Sequence, residues 1–329
     1  MFTVEKEIKE QTKSIESTYI ATKRFVEERG LPSFLFESDI VYFIGCGTSF
    51  YVAIFLSRYF TLKTGIESKA LPGGEIHGAF EENIGRHYLK RAGVLISRSG
   101  DSTDTVLACR KFKENNLKTL GITLNKDSSL SEVSDETLIL PINEEGIVMT
   151  KSFTSIILSF QMLVDINLNE DISKYAKVFG KIDEIIKVFE NEITKINLIR
   201  FKHFVFLGLG MYEGLAREAS LKLEEMSLSF TEAFSSYEYR HGPKSLADDK
   251  TLVCIFGEDE ENNQTLEKEL RDLGSTVINL GKLFKKTNIH SKNVAFLQIL
   301  FAQILGLRIA KNKDINVDRP RNLDKVVKF

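Results

Sequence analysis

A short apolar run that ends in glycine and passes at once into a helical pattern occurs twice in this chain, and that repetition restricts the fold more than any other feature. Asp39 to Gly45 reads DIVYFIG and leads past Cys46 and Gly47 toward FYVAIFLSRYF, while residues 203–210 read HFVFLGLG and lead into MYEGLAREASLKLEEMS. Gly45 and Gly47 align with Gly208 and Gly210. Apolar β-rich residues closed by glycine predict a strand and a tight turn, and the period that follows predicts a helix. An internal duplication of strand, turn and helix is the economical reading. Each copy is followed by another apolar strand, GVLIS at 93–97 and TLVCIF at 251–256, ahead of a charged helical stretch. Such alternation predicts an α/β protein with two mostly parallel sheets, each flanked by helices.

The length of 329 residues suits two α/β units of ordinary size. Residues 2–30 carry apolar positions at helical spacing and stop at Gly30-Leu31-Pro32, which predicts one helix lying across the first half. Residues 168–200 are rich in Lys, Glu, Asp and Ile at helical spacing without a Gly/Ser or Pro linker, so helices are expected to bridge two packed halves. Pro320 and its charged neighbours are expected to break the last helix.

With 43% hydrophobic and 27% charged residues, the chain can build a stable core. The 44 Lys and Arg nearly balance the 46 Asp and Glu, so no general field draws it to nucleic acid or anionic lipid. Cys46, Cys109 and Cys254 are odd in number and far apart, which argues against a disulfide framework and a Cys-x-x-Cys cluster and favours a reducing cytoplasm. Residues 1–14 lack the layout of a secretory signal, and no apolar run is expected to reach the ~20 residues of a membrane span.

Chemistry concentrates in a few loops. Residues 97–105 read SRSGDSTDT, a hydroxyl-rich loop between a strand and a helix. Phosphate binding needs converging N–H and O–H donors, and a helix N-terminus adds partial positive charge. The plainer alternative is a Ser or Thr that caps the helix. Residues 45–49, GCGTS, form a second such loop, and parallel neighbours would set the two side by side. Neither is a dinucleotide fingerprint or a P-loop. The matching loop of the second half, Phe256-Gly257-Glu258-Asp259-Glu260, would repel phosphate. That half instead carries LKLEEMS at 221–227, Glu232, and Tyr239-Arg240-His241-Gly242-Pro243. A carboxylate with an imidazole can move a proton between adjacent carbons and open a sugar ring. Taken singly, such a Glu is commonly a solvated helix residue and such a His a structural one.

Together the motifs CGTS at 46–49, SRSGDSTDT at 97–105, EEGIVMTKSFT at 144–154, LKLEEMS at 221–227, RHGP at 240–243 and DRPRNLDKVV at 318–327 resemble the SIS (sugar isomerase) family. The likeness runs from about residue 35 to the end. It is closest to the isomerase module of glutamine–fructose-6-phosphate aminotransferases and to stand-alone amino-sugar-phosphate deaminases. It implies two tandem SIS-type doubly wound domains, 35–175 and 176–310, after an N-terminal helix over 1–34 and before a tail over 311–329 that closes over the site. It also implies an amino-sugar phosphate substrate, glucosamine 6-phosphate or fructose 6-phosphate, and no metal or organic cofactor. Thr48, Ser49, Ser97, Arg98, Ser99 and Ser102 match the sugar-phosphate pocket, and Lys222 matches a lysine near the sugar hydroxyls. Glu225 matches the base between C1 and C2, His241 the ring-opening histidine, and Lys325 a C-terminal lysine that reaches the sugar. In related enzymes the histidine loop crosses a dimer interface, which implies a homodimer with shared sites.

Two positions depart from the pattern: Arg98 stands where the aminotransferase module has glutamine, and Met149 replaces a small hydroxyl residue. No glutaminase domain precedes the motifs and position 2 is not Cys. The expected reaction is therefore release of ammonia from glucosamine 6-phosphate. The alternatives are an aldose–ketose isomerase, an ammonia-dependent synthase subunit, or a non-catalytic sugar-phosphate sensor, and the substrate can be a gluco or galacto hexosamine or a fructosamine phosphate.

Overall fold

The computed structural model describes residues 1–84, 89–287, 289 and 292–327. Its chain opens with two helices, α1 (Thr3–Lys9) and α2 (Gln11–Arg29), where a single helix over 2–30 was expected. Helix α1 is held by partners distant in sequence. Its N-cap Phe2 has no side-chain acceptor to offer. The carboxylate of Asp318 instead takes the N–H groups of Thr3 and Val4, at 2.7 and 3.0 Å. One turn later the buried Glu7 carboxylate accepts from the backbone of Glu145 and Gly146. Helix α2 ends where the sequence indicates, at Gly30 in the left-handed conformation.

Contacts divide the chain into two compact units. One holds Lys13–Glu144, Lys151–Ala176 and the last residues from Asp324; the other holds Met1–Thr12, Glu145–Thr150 and Lys177–Leu323. In the first, β1 (Ile40–Gly45), β2 (Glu67–Pro72), β3 (Arg91–Ile96), β4 (Lys118–Thr123) and β5 (Glu136–Ile139) form a parallel sheet of order β2-β1-β3-β4-β5. Every residue of β1 is buried, as a parallel strand covered on both faces requires. Its alternate side chains serve two layers. Phe43 meets Phe60 of α3 (Thr48–Thr64) on one side. Tyr42 and Ile44 join Val106, Cys109 and Phe112 of α4 (Thr103–Glu114) on the other. Helix α5 (Lys151–Asn167) packs beside α3, and its Phe160 lies edge-on to Phe43 at 5.1 Å.

In the other unit, β6 (His203–Gly208), β7 (Thr231–Ser235), β8 (Thr251–Phe256) and β9 (Thr276–Asn279) form a parallel sheet of order β7-β6-β8-β9. Apart from β5, this repeats the strand order of the first sheet, so the duplication read from the sequence is a duplication of topology. After α6 (Ile182–Thr194), helix α7 (Tyr212–Ser227) takes the place that α3 has after β1. Helix α8 (Glu261–Asp272) covers the opposite face with Leu266 and Leu270. Gly45 and Gly208 do the same work in the two copies. A Cβ would lie 2.5 Å from the Ser49 carbonyl in one and 2.1 Å from the Tyr212 carbonyl in the other. Only glycine lets the following helix start so close to the strand.

The core of the second unit is completed by α9 (Ile299–Asn312), which packs on α7. By length and composition the stretch Lys292–Asn312 could cross a membrane, contrary to the expectation that no run is long enough. Its most apolar window is 89% buried, so that apolarity is spent on the core. The helix also ends earlier than Pro320 suggested. Asp314 takes a left-handed conformation, and the Ile315 N–H returns to the Ala310 carbonyl at 2.9 Å, closing the last turn.

Candidate active site

A doubly wound sheet of order 2-1-3-4-5 opens a crevice at the carboxyl ends of its first and third strands, where the connections diverge. Here β1 and β3 are direct neighbours, with Ile44 opposite Leu95. The loops that leave them are the two hydroxyl-rich loops. Thr48 and Ser49 occupy the buried first turn of α3. After β3 the chain turns tightly, and the Ser97 hydroxyl accepts the Gly100 N–H at 3.1 Å. Gly100 is left-handed, and a Cβ on it would lie 2.1 Å from Ser128 Oγ, so glycine is required on two counts. The Ser99 hydroxyl accepts from the Asp101 N–H. Ser102 is the N-cap of α4, yet its side chain makes no capping bond to that helix. The plainer reading of this serine, as a helix cap, therefore fails. Its hydroxyl lies 3.5 Å from that of Ser97 at the positive end of α4.

Arg98 of the same loop points elsewhere. Its guanidinium, in a residue 8% exposed, donates to the Glu144 carboxylate at 3.3 Å and to the Lys325 carbonyl at 3.0 Å. The Lys325 ammonium bonds the Glu144 carbonyl at 2.6 Å, and the Thr103 N–H bonds the Val327 carbonyl at 3.2 Å. Residues 324–327 thus lie along the loop that opens α4.

At the corresponding turn of the second sheet the donors are already engaged. The Gly257 N–H, an amide that could face a phosphate, donates to the Gln298 side chain, whose amide returns to the Gly257 carbonyl. The Tyr212 hydroxyl donates to Glu258. Burial and that carboxylate push the Tyr212 pKa well above the tyrosine range, so it stays a neutral donor.

The titratable cluster of this unit lies on α7. Glu218, Lys222 and Glu225 are spaced four and three residues apart and share one helical face. Lys222 is fully buried; its ammonium pairs with Glu218 at 3.4 Å and, more closely, with Glu225. Burial by itself would lower its pKa, but the two carboxylates outweigh burial and hold it above the ordinary lysine value. The Glu225 side chain is 17% exposed, so the carboxylate at the outer end of the row is anchored from within and reaches solvent only in part. His241 follows a short turn, Glu238–Arg240, that is fixed by a two-point bond from Arg240 to Glu269. The histidine is exposed, and among the described residues its ring makes no hydrogen bond.

The structure therefore gathers Thr48, Ser49, Ser97, Arg98, Ser99, Ser102 and Lys325 in the unit of the first sheet, and Lys222, Glu225 and His241 in the unit of the second. Two participants had no role assigned from sequence. Glu218 was signalled by its spacing from Lys222 and Glu225. Glu144 lay inside a quoted motif, but its pairing with Arg98 joins residues 46 apart and leaves no local pattern. Among the described residues no group of three or more His, Cys, Asp or Glu is placed to hold a metal ion.

Comparison with known proteins agrees with this fold. The family model described as SIS domain matches residues 34–166 and 197–280. A crystal structure of glucosamine-6-phosphate deaminase from Thermotoga maritima is 36% identical, superposes with a TM-score of 0.85, and is matched over 99% of both chains. Among curated relatives, a probable glutamine–fructose-6-phosphate aminotransferase (isomerizing) of Acanthamoeba polyphaga mimivirus is 30% identical over 98% of this chain. The corresponding aminotransferase of Bacillus licheniformis is 28% identical over 88% of it. The chain spans 57% and 52% of those two proteins, about half their length.

Proposed function

This chain belongs to the SIS domain family, and from that premise we propose that it is an isomerising glucosamine-6-phosphate deaminase. The observation that carries the reading is the row on α7, a partly exposed carboxylate braced by a buried, doubly paired ammonium. On this reading Thr48, Ser49, Ser97, Ser99 and Ser102 bind the phosphate. Binding energy from that remote group positions the reacting carbons. His241 assists ring opening. Glu225 removes the proton from C2 of the open aldehyde and returns it to C1, which leaves an imine at C2. Water adds to that carbon and ammonia departs, giving fructose 6-phosphate. Lys222 holds Glu225, and Lys325 closes on the sugar. The 36% identity to the Thermotoga deaminase over nearly the whole of both chains supports ammonia release. The aminotransferase relatives keep a second reading in play, in which ammonia and fructose 6-phosphate are joined.

We further propose a homodimer. Its support is the exposed His241 with Leu246, 57% exposed, in the next turn, a surface suited to a second copy of the chain. Light scattering should then return twice the chain mass of 37.3 kDa.

The test of the reaction is ammonia release from glucosamine 6-phosphate, with unphosphorylated glucosamine and galactosamine 6-phosphate alongside. Glu225→Gln should lower turnover by ~10²- to 10⁴-fold and still bind fructose 6-phosphate, as loss of a general base predicts. Synthesis of glucosamine 6-phosphate from ammonium and fructose 6-phosphate, without measurable release, would favour the second reading. Undiminished turnover by Glu225→Gln would remove Glu225 from the mechanism.

A further inference from the structure

We infer that Arg98 and Glu144 are positioning residues that clasp the C-terminal segment onto the phosphate loop, and that Arg98 acts through this segment without touching the phosphate. The clasp is fixed on both sides. The Arg98 carbonyl accepts from the Leu124 N–H and the Thr123 hydroxyl, at 3.1 and 3.2 Å, which ties its backbone to the end of β4. The Glu144 side chain is fully buried and accepts the Ser152 N–H at 3.0 Å in the first turn of α5, so that helix orients the carboxylate. The planar guanidinium then reaches Glu144 with one arm and the Lys325 carbonyl with the other. Lys325 closes the loop with its ammonium on the Glu144 carbonyl.

Apolar burial holds little of this segment: Val326 is half-buried, but Val327 is 61% exposed and Lys325 is exposed, so the segment's position depends chiefly on its polar links. Arg98 grips a backbone carbonyl. The grip is therefore independent of the side chain at 325, and Lys325 can leave Glu144 for a substrate while the segment stays in place. Glutamine at position 98 could not be an ionic partner for Glu144, which gives this chain's departure from the aminotransferase pattern a structural purpose.

The experiment compares hydrogen exchange and steady-state kinetics in the wild-type chain, Arg98→Lys, Arg98→Gln and Lys325→Met. Arg98→Lys keeps a charge for buried Glu144 but lacks the fork that spans both partners. It should fold, and its 316–327 peptide should exchange ~10-fold faster or more, the effect of losing one charge-assisted bond on a local opening equilibrium. Exchange across β6–β9 should be unchanged. Lys325→Met should leave that peptide's protection closer to wild type than Arg98→Lys does. The kinetic arm rests on the deaminase reading: both Arg98 variants should lower kcat with little change in KM for the sugar phosphate, Arg98→Lys less severely. Raised KM with unchanged exchange in Arg98→Lys would make Arg98 a phosphate ligand and overturn the inference. The exchange arm needs no turnover, so failure of the deaminase reading leaves it intact.

Discussion

On the proposed reading, Lys222 is structural and functional through the same contacts. An ammonium with no exposure would be costly to bury alone, and the carboxylates of Glu218 and Glu225 offset that cost while being held by it. Replacing it with methionine leaves two carboxylates facing each other. We expect Lys222→Met to lose ~3–5 kcal/mol of stability, the usual cost of breaking a buried pair, measured by urea unfolding at neutral pH. The pH dependence has a definite sign. The folded-state pKa lies above the ordinary lysine value, so the contribution is complete below that value and fades as pH rises through the folded one. Wild-type stability should therefore fall in the strongly alkaline range with a slope that Lys222→Met lacks. A variant as stable as wild type would mean that the pairing contributes nothing net.

At the scale of the element, the opening of α4 is the informative case. A serine at an N-cap ordinarily stabilises its helix by ~1 kcal/mol through a side-chain bond, and Ser102 makes none. Ser102→Ala should leave the melting temperature almost unchanged. Its KM for the sugar phosphate should rise by ~10-fold or more, the loss of one charge-assisted bond. A clear fall in melting temperature at unchanged KM would return Ser102 to an ordinary capping role. The central strands were largely legible in the sequence, because a buried parallel strand leaves a continuous apolar run as a local mark: β1, β3, β6 and β8 all lie where the apolar runs place them. The edge strands β2 and β7 are only partly buried along their lengths and carry no such run. The break between α1 and α2 was illegible for a different reason. Helix α1 is held by Asp318 and by the backbone at Glu145, far away in sequence, and such contacts leave no local pattern. Among the site residues, those on one loop or one helix face could be read directly, whereas the Arg98–Glu144 pair could not.

Across the whole molecule, the units do not follow the order of the chain. Residues 1–12 belong with the sheet of β6–β9. There Val4 and Ile8 are buried, Gln11 bonds Gln303 of α9 at 3.2 Å, and Glu5 pairs with Lys311 at 2.8 Å. Deleting residues 1–10 removes two buried aliphatic side chains, worth roughly 1.5–3 kcal/mol each, together with the Glu7 anchor of residues 145 and 146. Amide exchange should accelerate in β6–β9, the more distant part of the sequence, and stay near wild type in β1–β5. The reverse pattern would contradict this assignment of the N-terminal helix. The same interleaving bears on synthesis. The sheet of β1–β5 is assembled from residues made early, but the segment that lies along the loop opening α4 is made only after residues 177–323. At ~5–20 residues per second, residues 177–323 take on the order of ten seconds to translate. Throughout that interval the nascent chain can hold a formed first sheet whose loop is still uncovered, and the cover arrives only when residues 324–327 have cleared the ribosome.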